Sequence, residues 1–255
     1  MKTIIKHVLY DILRSRIVLA YTVFMLVLAF GLFNLEGDPA KSLLSLLNVV
    51  LLVVPLISIV FATTHFYNSY EFMELLMAQP VNRKKIFLSE YLAVALSLSA
   101  AYVVGIGVPV LLYGANATAL FLLAVGVGIT FVFVALAFLA SVVTRDKAKG
   151  IGVALLLWVY FALIYDGIVI FILYFFSEYP LEKASLAMIA LNPIDLGRIV
   201  VMLNLDVSAL MGYTGALYKS MFGSGTGVAI SFGILLLWVL FPLLTSKRIF
   251  SKKDI

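Results

Sequence analysis

Residues 151–176 read IGVALLLWVYFALIYDGIVIFILYFF. One charged residue, Asp166, interrupts a stretch that is otherwise aliphatic, aromatic or glycine. A membrane-spanning α-helix needs about 20 mostly apolar residues, because the hydrocarbon core offers backbone N–H and C=O groups no partner outside the helix itself. The stretch meets that length, and it fixes the class of the protein: helical and embedded in lipid. Five further runs satisfy the same rule, at about 17–34, 43–64, 88–113, 119–143 and 228–246.

Whole-chain composition agrees. The chain has 255 residues, of which 64% are hydrophobic and 12% charged, against about 45–50% apolar and about 25% charged in soluble domains. There is no cysteine, so disulfides, thiolate metal sites and a cysteine nucleophile are excluded. Two histidines, His7 and His65, are too few and too far apart in sequence for a histidine metal cluster. The net charge of +5 lies at membrane borders. It therefore reads as a topology signal and a contact for membrane lipids, not as a nucleic-acid surface.

The basic residues set the orientation. The segment before the first span (Lys2, Lys6, Arg14, Arg16), the loops at Arg83–Lys85 and Arg145–Lys149, and the tail (Lys247, Arg248, Lys252, Lys253) hold 14 of the 18 lysines and arginines. The positive-inside rule makes that side cytoplasmic. Both termini are then cytoplasmic, and six spans satisfy the even number this requires. The expected location is the cytoplasmic (inner) membrane, with residues 1–255 forming one membrane domain.

Three segments outside the spans carry patterns. In residues 1–16, Ile4, Ile5, Val8, Leu9, Ile12 and Leu13 recur at helical spacing, which predicts an interfacial amphipathic helix or a lead-in to the first span. Residues 65–87 predict a short cytoplasmic helix ended by Pro80, with Phe72, Leu75 and Leu76 on one face and Glu71 and Glu74 beside it. Such a helix suits docking to a soluble partner, or rest on lipid. Residues 177–227 are too polar and interrupted to cross as one helix. Within them, LNPIDLGRIVVML (191–203) places Asn192 as an N-cap, Pro193 at the first helical position and Asp195 in the first turn. Asp195 and Arg198, three apart, are spaced to pair. The result is an expected short helix dipping into the external leaflet.

Sites for chemistry are few. The glycine-rich Gly223–Gly227 is followed by no lysine and makes no phosphate-binding loop, so a nucleotide engine has to be a separate subunit. No metalloprotease or serine-hydrolase motif occurs, and the chain is not expected to be an enzyme. Asp166, read as lying near mid-membrane, should face the bundle and find a partner. Tyr160, Tyr102 and Tyr113 are the candidate donors. It is either a substrate or proton site or a structural acid joining two helices. Met188, Met202, Met211 and Met221 fall in the external segment and are either soft copper ligands or ordinary apolar residues.

The order of parts resembles the permeases of ABC-2 type transporters: an interfacial first helix, six spans, a cytoplasmic helix between spans two and three, and a partly re-entrant segment before the last span. Within that class the chain looks most like the NosY-like permeases of the nitrous oxide reductase maturation system. The stretches that carry the likeness are LWVYFALIYDGIVIFILYFFSE (157–178), LNPIDLGRIVVML (191–203) and ELLMAQPVNRKKIFLSEYLA (74–93). The chain departs from the class where it reads Tyr67-Asn68-Ser69-Tyr70-Glu71-Phe72 in place of a glycine- and acid-rich lead into the cytoplasmic helix.

The resemblance implies an all-α exporter permease that pairs with a second copy of itself and two copies of a cytoplasmic ABC ATPase. ATP and Mg are bound there and no cofactor on this chain. It also implies a periplasmic accessory protein and a copper or sulfur cargo, with a lipid, drug or ion exporter as the alternative. Docking to the ATPase falls on Glu71, Phe72, Glu74, Leu75 and Leu76. An external gate falls on Asn192, Pro193, Asp195 and Arg198, and Asp166 is the intramembrane polar residue. A secondary transporter would show several mid-membrane charges in repeated halves, which this sequence does not.

Overall fold

The computed structural model describes residues 2–78, 82–114, 116–144, 146–179, 182–204 and 225–252. Pro80, Arg145, Met211, Lys219, Met221, Gly223, Ser224 and Lys253 lie outside the described residues. The described chain is helical throughout: α1 (Lys2–Leu13), α2 (Arg16–Glu36), α3 (Pro39–Asn68), α4 (Tyr70–Met77), α5 (Arg83–Tyr113), α6 (Ala117–Val143), α7 (Lys147–Val159), a π-helical turn (Tyr160–Ile164), α8 (Tyr165–Phe175), α9 (Glu182–Ala190), α10 (Pro193–Met202) and α11 (Gly225–Lys252). Among the described residues, six helical segments are long and apolar enough to cross a bilayer: α2, α3, α5, α6, the continuous α7–α8, and α11.

Side-chain caps set where the spans begin. A helix leaves its first N–H groups without intrahelical acceptors, and short polar side chains supply them here. Ser15 accepts from Val18 N, Asp38 from Ala40 N, Asn82 from Lys84 N, Asn116 from Ala119 N and Asp146 from Lys149 N. Several helices also run beyond the ends expected for their spans. α3 runs on through His65 to Asn68, α5 starts at Arg83, and the last span extends to Lys252. The segment expected at 65–87 thus divides into the end of α3, the separate short helix α4 and the start of α5.

The core gathers around α6, which packs against α3, α5, α7, α10 and α11. α5 is the most enclosed span, with 67% of its apolar window buried, while the fifth span (α7–α8) has 11% buried and stands at the edge. α1 does more than lie on lipid. Ile12 is buried, Val8 and Leu9 pack against the core, and the helix runs along α5. Before α11 the chain makes a hairpin of two short helices, α9 and α10, bent by 110° at residues 191–192. Gly197 lets α10 lie close on α6: a Cβ there would sit 2.7 Å from Val125 Cγ1 and 3.0 Å from Ile129 Cδ1.

Two ends can be told apart. Tyr67 at the end of α3 bonds Thr144 after α6, and Lys147 Nζ donates to Asn68 Oδ1 at 2.8 Å. The end of α3, α4, and the starts of α5 and α7 therefore share one end, here called the basic end. The α9–α10 hairpin enters from the opposite end, where Thr118 at the start of α6 donates to Asn204 O at 2.8 Å.

Candidate functional site

Phe161 is the midpoint of the 29-residue α7–α8 span. At that point the helix takes a π turn. Tyr165 N–H donates to Tyr160 O, five residues back, instead of to Phe161 O four back, as an α-helix would require. Phe161 O accepts from Asn192 Nδ2 at 2.9 Å. The bend of the hairpin thus touches the middle of the fifth span, and Asn192 is fully buried there. An amide at that depth is costly unless its hydrogen bonds are made. Asn192 makes three: Oδ1 accepts from Ile194 N at 3.0 Å as the cap of α10, and Nδ2 donates to Phe161 O and to Asp195 Oδ2 at 2.8 Å.

The C-terminal carbonyls of α9 have the same difficulty, and side chains from neighbouring helices meet it. Tyr165 OH donates to Met188 O at 2.6 Å, and Trp238 Nε1 on α11 donates to Ala190 O at 3.0 Å. The Trp238 ring also meets Phe161 edge-on, with centroids 5.3 Å apart. The hairpin is therefore held from three sides, by α8, α11 and α6.

Toward the hairpin end the cluster becomes ionic. Arg198 Nη1 donates to Asp195 Oδ1 at 3.0 Å and to Asp166 Oδ2 at 3.3 Å. Arg198 and Asp166 are each 34% exposed and Asp195 is 14% exposed. The Asp195–Arg198 pair lies within α10, whereas Asp166–Arg198 bridges α8 and α10. The expected tyrosine partners of Asp166 are corrected. Tyr102 OH donates to Leu122 O at 2.9 Å, Tyr113 stacks on Phe33, and an arginine pairs with Asp166. Asp166 stands 19 residues, or about 28 Å at 1.5 Å per residue, from the start of α7 at Lys147. It thus lies five residues past the midpoint of the span, on the side of the hairpin end.

At the basic end, α4 buries Met73 and leaves Phe72 (46%) and Leu75 (69%) exposed, with Glu71 and Glu74 also exposed. Leu76 does not share that face: it is partly buried and packs against the core. The α3–α4 junction is tied to α5 by a group that sequence reading missed. Glu90, nearly fully buried on α5, lies 3.2 Å from His65 Nε2, which also meets Ser69 Oγ at 3.2 Å. Ser69 is the residue between α3 and α4. The missed signal was an acid inside an apolar run, KIFLSEYLA, which asks for a partner as any acid at a membrane boundary does. The described residues hold no group of three or more His, Cys, Asp or Glu able to bind a metal. Met188 and Met202 are half-buried.

The family model for ABC-2 family transporter proteins matches residues 2–255. No curated protein matches the chain significantly.

Proposed function

The chain belongs to the ABC-2 family of transporter proteins, and from that premise we propose that its α9–α10 hairpin is the outer gate of an ATP-driven exporter. Membership makes the chain the multi-pass membrane subunit of an ABC transporter, working with an ABC ATPase that carries out hydrolysis; it is not itself the catalyst. Our reading adds orientation and mechanism. The basic end faces the cytoplasm, both termini lie there, the membrane is the inner membrane, and two copies of the chain act with two ATPases.

The observation that carries the gate is the division of Arg198 between two bodies. One partner, Asp195, rides with it on α10, and the other, Asp166, stands on the fifth span. When the spans separate, the Asp166 contact breaks while Arg198 keeps Asp195. The gate opens without leaving an unpaired guanidinium in a membrane setting, a state that would be costly.

Motion reaches the gate from α4. The ATPases dock on Glu71, Phe72, Glu74 and Leu75 and close on ATP. The α3–α4 junction passes that movement through Asn68–Lys147 into α7, and the continuous α7–α8 helix carries it to Asp166. ATP does work only through the difference in contacts between the two states.

A narrower reading rests on the likeness of residues 74–93, 157–178 and 191–203 to the NosY-like permeases. On it the cargo is a copper or sulfur species for nitrous oxide reductase, delivered to a periplasmic accessory protein. Two experiments separate the levels. Co-purification with an ABC ATPase, with vanadate-sensitive hydrolysis, supports the transporter subunit as read here; a chain that binds no ATPase would overturn the coupling through α4. Deletion of the gene in its host should leave nitrous oxide reductase with a defective copper–sulfur centre. A normal centre removes the narrower reading and leaves the exporter.

A further inference from the structure

At the basic end a cleft of about 910 Å³ opens between α2 and α3, near the top of the ~300–1,000 Å³ range of ligand pockets. Its chemistry is segregated along its length. Phe24, Leu56, Ile57, Val60 and Phe61 line the part nearer mid-membrane, and Asp11, Ser15, Arg16, His65 and Asn68 line the end where α1 meets α2. From Leu56 to Asn68 the wall of α3 rises twelve residues, about 18 Å. One leaflet contributes about 15 Å of hydrocarbon, so the cleft has the length of one leaflet plus a headgroup layer. The polar end offers one exposed cation, Arg16, and one exposed acid, Asp11. Their charges are opposite to those of a lipid phosphate and a primary ammonium.

We propose that this cleft holds one zwitterionic glycerophospholipid with a primary amine in its headgroup, taken from the leaflet on the basic side, and that the lipid acts on the α3–α4 junction through His65. Arg16 takes the phosphate, Asp11 the ammonium, and the acyl chains lie along Ile57, Val60 and Phe24. His65 forms part of the cleft wall and bonds both the buried Glu90 and Ser69 at the junction. An occupied cleft therefore restricts the joint that carries α4. The lipid is a resident that sets coupling, not the cargo. The binding half depends only on the cleft, and the coupling half rests on α4 being the docking helix.

The test separates the halves. The chain is purified with its ATPase, stripped with detergent and analysed by native mass spectrometry. One phosphatidylethanolamine per chain is expected to survive stripping. Ala20→Trp, at an exposed position on the cleft wall, fills the cleft and should abolish retention. Arg16→Gln should weaken it about tenfold, the effect of one charge-assisted hydrogen bond. Equal retention by Ala20→Trp and the parent chain overturns the site. So does a disulfide between Phe24→Cys in one copy and Leu156→Cys in another, because a second copy then fills the cleft. For coupling, hydrolysis in nanodiscs should differ between phosphatidylethanolamine and phosphatidylcholine, whose ammonium is fully methylated, and His65→Gln should erase that difference while retaining the lipid. Bound lipid with no influence on hydrolysis overturns the coupling half alone.

Discussion

Asp166→Asn removes the charge that spans the proposed gate and leaves its shape. The asparagine oxygen can still accept from Arg198 Nη1, now 3.3 Å from Asp166 Oδ2, so packing is unchanged and the effect is electrostatic. At an effective dielectric of about 20 the bare attraction is about 5 kcal/mol. Both side chains are 34% exposed, and solvent, side-chain entropy and the competing hold of Asp195 reduce the net value to about 1 kcal/mol. That shifts the closed–open equilibrium about fivefold toward open.

The assay uses the absence of cysteine in the chain. Ala162→Cys, in the π turn beside the hairpin, is labelled with a membrane-impermeant maleimide with and without Asp166→Asn. The variant should label about fivefold faster with no change in thermal unfolding. Equal labelling combined with a large loss of stability would refute the reasoning, because Asp166 would then be a structural acid locking two helices.

Three other perturbations have different signatures. Asn192→Ala removes a cap and two buried hydrogen bonds, and should cost about 2–3 kcal/mol in unfolding measured in detergent; an unchanged midpoint contradicts the bonding described. Gly197→Ala puts a methyl 2.7 Å from Val125 and should cost about 1–3 kcal/mol through overpacking, read as a lowered melting temperature; an unaltered melt would mean the α10–α6 approach is looser than described. Phe72→Ala with Leu75→Ala removes the exposed apolar side chains of α4 and should weaken ATPase binding about 100-fold at normal stability, checked by titrating the ATPase onto the purified chain. Leu76 is left in place, because it packs inward and its loss would loosen the fold as well.

Sequence and structure met where the physics is local. Long apolar runs announced six spans because lipid forces the backbone to bond within each helix. Asn192, Pro193 and Asp195 announced a helix start because capping is decided within a few residues. The Asp195–Arg198 pair was legible for the same reason, at one helical turn. What could not be read depends on contacts between elements. Asp166 and Arg198 lie 32 residues apart, and nothing in IYDGI points to an arginine. The π turn was also hidden, since YFALI is as apolar as its flanks. What distinguishes it is the demand of a buried amide, Asn192, for a carbonyl at that depth. His65 and Glu90, 25 residues apart, escaped because the acid in its apolar run asks for a partner without saying which element supplies it. The α1 stripe fitted lipid and protein equally well, and only the packing of Ile12 against the core separated them.

The most direct test follows the gate under ATPase control. Spin labels are placed at Tyr174, exposed on α8, and Leu191, exposed at the bend of the hairpin, in the otherwise cysteine-free chain bound to its ATPase. Their separation is measured without nucleotide and after vanadate trapping. The account predicts a longer distance in the trapped state, and a smaller change when Phe72→Ala and Leu75→Ala disconnect α4. The same distance distribution in both states, with hydrolysis proceeding, would contradict the claim that the α9–α10 hairpin is the gate the ATPase moves.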